Sequence, residues 1–329
     1  MASILSFVVA APTKIGRTKI GKDLGAALER LGHRVVYFDY DREPFLYRAM
    51  RRLLRHPNWR QRYLEYVNTE ALDCVRAVRP DIFLCVKGVQ LWPDTIRTIG
   101  RAGVTTVGYW TDDPLDHARS LVNAASYHRY FTNDASSVPR YRSEGITEIR
   151  HLQLGADPTN FHPLPLTRSV ADVVFVGTHS PHRERVVVAL QNVDTHVYGS
   201  AAWRRSPIDK ARVHPGAFGA KTNEILNSAR INLNMHTWVG QGSAMNLRLF
   251  EVPASGGFLL TDWVAEIDGA YRPDEQLVCW RTVEELRAKV AYYLAHDDER
   301  REIAARGREH FLQHHTYAAR ARELLDHLR

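Results

Sequence analysis

The sequence predicts an α/β chain of two doubly wound domains facing a cleft. Three observations carry this. Short apolar runs recur without the strict alternation of a half-exposed sheet: Ile4 to Ala10, Ile82 to Val86, Val173 to Val176, Phe258 to Thr261. Parallel strands covered on both faces read this way. Between the runs lie segments with apolar residues at helical spacing, such as Ile20, Leu24, Ala27, Leu28 and Leu31. This strand–loop–helix grammar starts twice, at the N-terminus and again after the proline-rich stretch Pro158 to Pro165.

Composition bounds the reading. A chain of 329 residues is long enough for two ordinary domains, and 44% apolar with 25% charged residues is a globular composition. No run approaches ~20 uncharged apolar residues, so no membrane span is expected. Ile4 to Ala11 lacks a basic leader and reads as a buried strand, not a signal peptide. Cys74, Cys85 and Cys279 are widely spaced and odd in number, which argues against a disulfide framework and for a reducing cytoplasm. The sixteen histidines are scattered, and no His/Cys cluster of a zinc site stands out. A net charge of +7 points to an anionic partner: nucleotide sugar, acidic glycan, nucleic acid or anionic lipid. No helix-turn-helix, zinc finger or ribonucleoprotein motif supports sequence-specific nucleic-acid binding.

In chain order, the first strand ends in a loop carrying Lys14 and Gly16, before the helix from Ile20. Loops at strand carboxyl ends are where open α/β sheets bind ligands, so both can touch a phosphate or acceptor; the loop reads equally as a plain connection. Residues 42 to 62 carry Arg42, Arg48, Arg51, Arg52, Arg55, Arg60 and Arg62 against one acid, Glu43. With Leu46, Met50, Leu53 and Leu54 they make a basic amphipathic helix. Such a helix suits an anionic membrane or acidic acceptor, although a solvated helix face is the commoner reason for a charge run. The strand Thr105 to Trp110 closes in Thr111-Asp112-Asp113-Pro114. Asp113 reads as a helix N-cap with Pro114 first in the helix, which leaves Asp112 as the candidate acid or base for an acceptor hydroxyl.

The domain boundary is placed at 165/166. In the second domain, Gly177 to Arg185 is a polar turn into a helix, at a strand end. Arg183 or Arg185 can reach a diphosphate from there, or can simply be exposed. The strand Ile231 to Met235 carries Asn232 and Asn234 on one face and ends at His236, a candidate for hydrogen bonding or base stacking. It delivers the chain to Gly240-Gln241-Gly242-Ser243-Ala244-Met245-Asn246, where a helix is expected to open near Met245 and Asn246. Free N–H groups in its first turn would seat a phosphate. Arg248 adds a guanidinium suited to phosphate oxygens, and Glu251 a carboxylate suited to the two ribose hydroxyls.

The run Asn246-x-Arg248-x-x-Glu251-x-x-x-x-Gly256-Gly257 resembles the donor segment of retaining GT-B glycosyltransferases, and more narrowly their CgeB-like (spore-maturation) branch. Tyr109 to Pro114 resembles a strand-end signature of that branch, and Gly155-Ala156-Asp157 through Pro163 resembles the GT-B crossover. The resemblance implies two Rossmann-like domains: an acceptor-side domain over 1–165 and a nucleotide-sugar domain over 166–312. It also implies that residues 313–329 form a helix returning to the first domain. It implies sugar transfer from a nucleoside-diphosphate sugar, UDP-sugar favoured, to an unknown acceptor, with retention and without a metal or separate cofactor. Asn246, Arg248 and Arg183 would hold the diphosphate. Retaining relatives carry a further glutamate about two turns before the ribose glutamate; here that region is Gly242-Ser243-Ala244. A nucleotide-sugar epimerase of the same fold and a non-catalytic binder of nucleotide or acidic polymer are the alternatives.

Overall fold

A computed structural model of the chain describes residues 3–12, 19–53, 57–165, 171–237 and 242–328. Lys14 and Gly16, named above as candidate phosphate contacts, lie outside the described residues, as do Leu54, Arg55 and Gly240.

The chain forms two compact units, residues 1–153 with 320–329, and residues 154–319. In the first unit the elements run β1 (Ser6–Ala10), α1 (Ile20–Arg30), β2 (Arg34–Phe38), α2 (Phe45–Arg52), α3 (Trp59–Val78), β3 (Ile82–Val86), α4 (Pro93–Arg101), β4 (Thr105–Trp110), α5 (His117–Ala124), β5 (Arg129–Thr132), α6 (Val138–Ser143) and β6 (Ile149–His151). Its six described strands pair in parallel in the order β2-β1-β3-β4-β5-β6. Val8 and Ala10 of β1 and Phe83 and Cys85 of β3 join a core closed by Val67, Ala71 and Val75 of α3 and by Ile96 and Ile99 of α4. This is why these strands read as continuous apolar runs.

The second unit contains β7 (Ala171–Val176), α7 (Pro181–Val188), β8 (Thr195–Gly199), β9 (Val213–Pro215), α8 (Ala220–Asn227), β10 (Ala229–Asn234), α9 (Arg248–Ala254), β11 (Leu259–Asp262), α10 (Ile267–Ala270), β12 (Val278–Trp280), α11 (Val283–Ala295) and α12 (Asp297–His314). The last helix, α13 (Tyr317–Leu328), runs from this unit into the residues that cluster with the first. The described strands again pair in parallel, in the order β12-β11-β10-β7-β8-β9. Strand order reverses between β7 and β10. At such switch points doubly wound sheets take ligands, beside the strands' carboxyl ends. Both units are thus doubly wound and Rossmann-like, as the sequence pattern predicts.

Three expectations change. The units divide after Gln153, ahead of the expected 165/166, because the crossover makes its bonds in the second unit. Ala156 N donates to the His315 carbonyl, His162 N to Asn223 Oδ1 and Leu164 N to Asn227 Oδ1. The basic run is two helices, not one: α2 ends at Arg52, and Pro57 precedes α3, which continues to Val78. Asp113 is not a helix cap. It is fully buried and accepts from Thr132 Oγ1 at 2.5 Å, Tyr141 OH at 2.8 Å and His117 Nδ1 at 3.2 Å, while α5 starts only at His117. Burial pushes this carboxyl's pKa up, against the pull of those donors.

Candidate functional site

Several candidate residues converge at the β7/β10 switch point of the second unit. Arg183 sits in α7, whose N-cap Ser180 accepts from the Arg183 N–H at 3.3 Å. Its side chain does not point to solvent as a first-turn arginine usually does; the residue is 7% exposed. Nη1 donates to the Thr178 carbonyl (3.1 Å) and to Thr178 Oγ1 (3.0 Å), and Nη2 donates to the Met235 carbonyl at 2.7 Å. One guanidinium therefore bridges the ends of β7 and β10. Burial pushes its pKa down, and Asp262 pulls it back up.

His236 is not a loop histidine with loose surroundings. It is fully buried, and Asp262, the last residue of β11, grips it twice. The His236 backbone N–H donates to both carboxylate oxygens at 2.9 and 3.0 Å, and Nδ1 lies 2.6 Å from Oδ1. A carboxylate only accepts, so the imidazole proton sits on Nδ1, and the ring's orientation is set.

The glycine loop and α9 differ from expectation. The helix starts at Arg248, with Leu247 as its cap, and not near Met245. Its first N–H groups are occupied: Arg248 N donates to Asn246 Oδ1 (3.1 Å), Leu249 N to the Asn246 carbonyl, and Phe250 N and Glu251 N to the Leu247 carbonyl. These N–H groups are therefore not free, as the first turn of a helix is expected to leave them. Asn246 is likewise committed, its Nδ2 donating to Asn234 Oδ1 (3.0 Å) and the Met235 carbonyl (3.3 Å). Most of the polar face of β10 is thus engaged from within: Asn234 Nδ2 donates to Thr261 Oγ1 and Asn232 Nδ2 to the Leu226 carbonyl, while Asn232 Oδ1 is buried without a partner.

Arg248 and Glu251, one helical turn apart, form an ion pair with each other; their side chains are 20% and 12% exposed. Burial, and then the nearby positive Arg183, push the Arg248 pKa down to about 10. The site therefore holds two guanidiniums close enough to repel, compensated by Glu251 and Asp262. Arg183 Nε and Arg248 Nε are both buried without a hydrogen-bond partner. Each such donor is a cost, and an anion reaching both would remove it.

Packing by itself requires a glycine at 177, a candidate for ligand contact. A Cβ there would stand 2.6 Å from the Phe175 ring, and the Gly177 carbonyl accepts from Trp203 Nε1 at 3.0 Å. The loop residue Ser243 donates to Glu266 Oε1 at 3.0 Å. A carboxylate absent from the loop's own sequence thus reaches it from the segment after β11.

Asp112 belongs to the first unit, at the end of β4. It pairs with Lys87 at 2.7 Å and remains 42% exposed. Lys87 adopts a positive φ of 66° at the end of β3 and also lines a cavity of about 140 Å³ with Trp92, Trp110, Arg119 and Asn123. Sequence reasoning missed Lys87 and Asp262 as site residues. Lys87-Gly88 at a strand end was the available signal for the first, and an acid ending an apolar strand for the second.

Comparison with known proteins fits this geometry. Residues 183–326 match a family model described as "Glycosyl transferase-like". No curated protein matches the chain. Among solved structures, Anabaena HepE in complex with UDP-glucose superposes with a TM-score of 0.65 at 10% identity, covering 98% of this chain and 99% of that one. Sucrose-phosphate synthase from Thermosynechococcus elongatus gives 0.64 at 12% identity, covering 98% of each chain. A glycosyltransferase from Rickettsia africae gives 0.63 at 10% identity, covering 99% of this chain and 98% of that one. The chain thus has the two-sheet fold of these GT-B structures, and its residues 183–326 are similar to glycosyl transferases.

Proposed function

We propose that the second unit binds a nucleoside-diphosphate sugar, UDP-sugar first, and that the sugar passes to an acceptor with retention. The observation that carries this reading is the pair Arg183 and Arg248 at the switch point, each with an unpartnered buried Nε. A diphosphate supplies two negative groups and oxygens for both donors. It would take over Arg248 from Glu251, and the released carboxylate would accept from the ribose hydroxyls. The C–O bond between sugar and diphosphate then breaks with its charge falling on oxygens already facing two fixed cations, so little reorganisation is needed. With that compensation the reaction needs no divalent metal. Glu266, held by Ser243, takes the place of the glutamate that the loop lacks, facing the donor sugar. Asp112, beside Lys87, accepts from an acceptor hydroxyl. That HepE was solved with UDP-glucose supports the choice of base. The order of motifs along the chain supports the CgeB-like branch.

Thermal shift with UDP, GDP, ADP and TDP tests the donor site. A ligand at 100 times its Kd raises native stability by about 2.7 kcal/mol. We expect the largest shift with UDP and none in Glu251→Ala. No shift with any of the four, or an unchanged shift in the variant, rejects the reading. Release of UDP from a UDP-sugar on adding acceptor separates an enzyme from a binder.

A further inference from the structure

The first unit carries a helix whose outward face is the wrong polarity for water. In α2 the packed side is formed by Met50, 6% exposed, and by Tyr47, whose ring lies 5.7 Å from Tyr63 and 5.3 Å from Tyr66. Arg51 is pinned by two 2.9 Å hydrogen bonds to Glu43 and lies over the Trp59 ring. That leaves Phe45, 75% exposed, Leu46, 62% exposed, and Leu53, 75% exposed, standing in solvent. At roughly 100° per residue these three fall within about a quarter to a third of the helix circumference. A surface helix ordinarily turns its apolar stripe inward; here a second stripe is left outward.

Within residues 42–62 the exposed described charges are of one sign. Arg42, Arg48, Arg52, Arg60 and Arg62 are exposed, and the acid in this segment, Glu43, is already committed to Arg51. We propose that this face docks on an anionic lipid surface. Phe45, Leu46 and Leu53 enter the headgroup–acyl boundary, and the arginines meet lipid phosphates. Three large apolar side chains ringed by cations match that boundary, where apolar burial and attraction to anionic headgroups act together. A purely ionic partner such as an acidic polysaccharide would use the arginines and leave the three apolar side chains in water. No described helix is long and apolar enough to cross a membrane, so the contact is peripheral. Because the proposal concerns binding alone, its readout needs neither donor nor acceptor.

The test is co-sedimentation of the full chain with sucrose-loaded vesicles of phosphatidylcholine, with and without 30 mole per cent phosphatidylglycerol, a composition set at about the anionic content that gives a strong surface potential. We expect binding to the anionic vesicles that is at least about tenfold tighter than to the neutral ones and that weakens in high salt. The triple variant Phe45→Ser/Leu46→Ser/Leu53→Ser and the double variant Arg48→Glu/Arg52→Glu should each lose about tenfold or more. All five side chains are wholly or largely outside the core, so circular dichroism and melting temperature should match the native chain. Equal binding to neutral and anionic vesicles, or no binding, overturns the proposal. So does an unchanged affinity in the apolar variant, and if heparin then binds native and apolar variant alike the patch grips polyanions instead.

Discussion

Arg248 and Glu251 were legible as a pair of site residues because their types and their three-residue spacing on a helix are visible in the sequence. Their mutual ion pair was not foreseen, and it changes how the site must work. A charge removed from one partner leaves the other buried and uncompensated, which costs more than removing both. Glu251→Leu is therefore expected to lower unfolding free energy by about 2 kcal/mol, less than a fully buried pair because both side chains keep some solvent. The double variant Arg248→Met/Glu251→Leu should cost about 1 kcal/mol or less. Urea unfolding of both variants checks this, and a double variant no more stable than the single one refutes it. The contact between His236 and Asp262 was hidden for a different reason. The two are 26 positions apart, and only the pairing of β10 with β11 brings their strand ends together. Asn246 shows the converse: a polar residue in the expected place, with its hydrogen bonds already used inside the protein.

At the scale of elements, strands buried on both faces were the most readable, since apolar runs leave little choice of structure. The short edge strand β9 escaped notice. It has three residues and ends in Pro215, which an edge tolerates and a central strand does not. The start of α9 was misplaced because the Asn246 side chain closes the first turn from outside the helix. The start of α12 carries a testable tie. Asp297 accepts from Arg230 Nη2 and Arg300 Nη1, each at 2.6 Å, which fastens the helix to the start of β10. These bonds, that to Arg300 first, push the Asp297 pKa from 3.8 down to about 2. A carboxyl with a lowered folded pKa contributes stability above its unfolded value and loses it as pH falls through the folded one. Asp297 is 45% exposed, so solvent screens most of the effect. Asp297→Asn should cost about 1 kcal/mol at pH 7 and progressively less towards about pH 2, flattening the acid limb of stability between about pH 4 and pH 2. Melting temperatures across that range decide it; a constant difference at every pH would point to lost packing instead.

For the whole molecule, each unit has its own core, one centred on β1 and β3 and the other on β7, β10 and β11. The first unit is discontinuous: residues 320–329 cluster with it although residues 154–319 lie between. Ala321 and Leu324 are fully buried, and the His327 ring packs tilted against Phe131 of β5 at 5.9 Å. Apolar spacing showed a helix here, but not which unit it belongs to, because spacing carries no information about distant partners. Deleting residues 320–329 should therefore weaken the first unit and spare the second. Burying a side chain the size of Leu is worth roughly 1.5–3 kcal/mol, so loss of Leu324 alone should lower the first unit's transition measurably. Differential scanning calorimetry in the presence and absence of UDP distinguishes the units, since a ligand raises only the transition of the unit that binds it. In the truncated chain the transition that UDP does not move should fall, and the one that UDP raises should stay within about 2 °C of the full chain, because a shift of that size corresponds to well under 1 kcal/mol. If truncation lowers the UDP-responsive transition instead, the final turns stabilise the nucleotide-binding unit and the division of the chain at its C-terminal end must be redrawn.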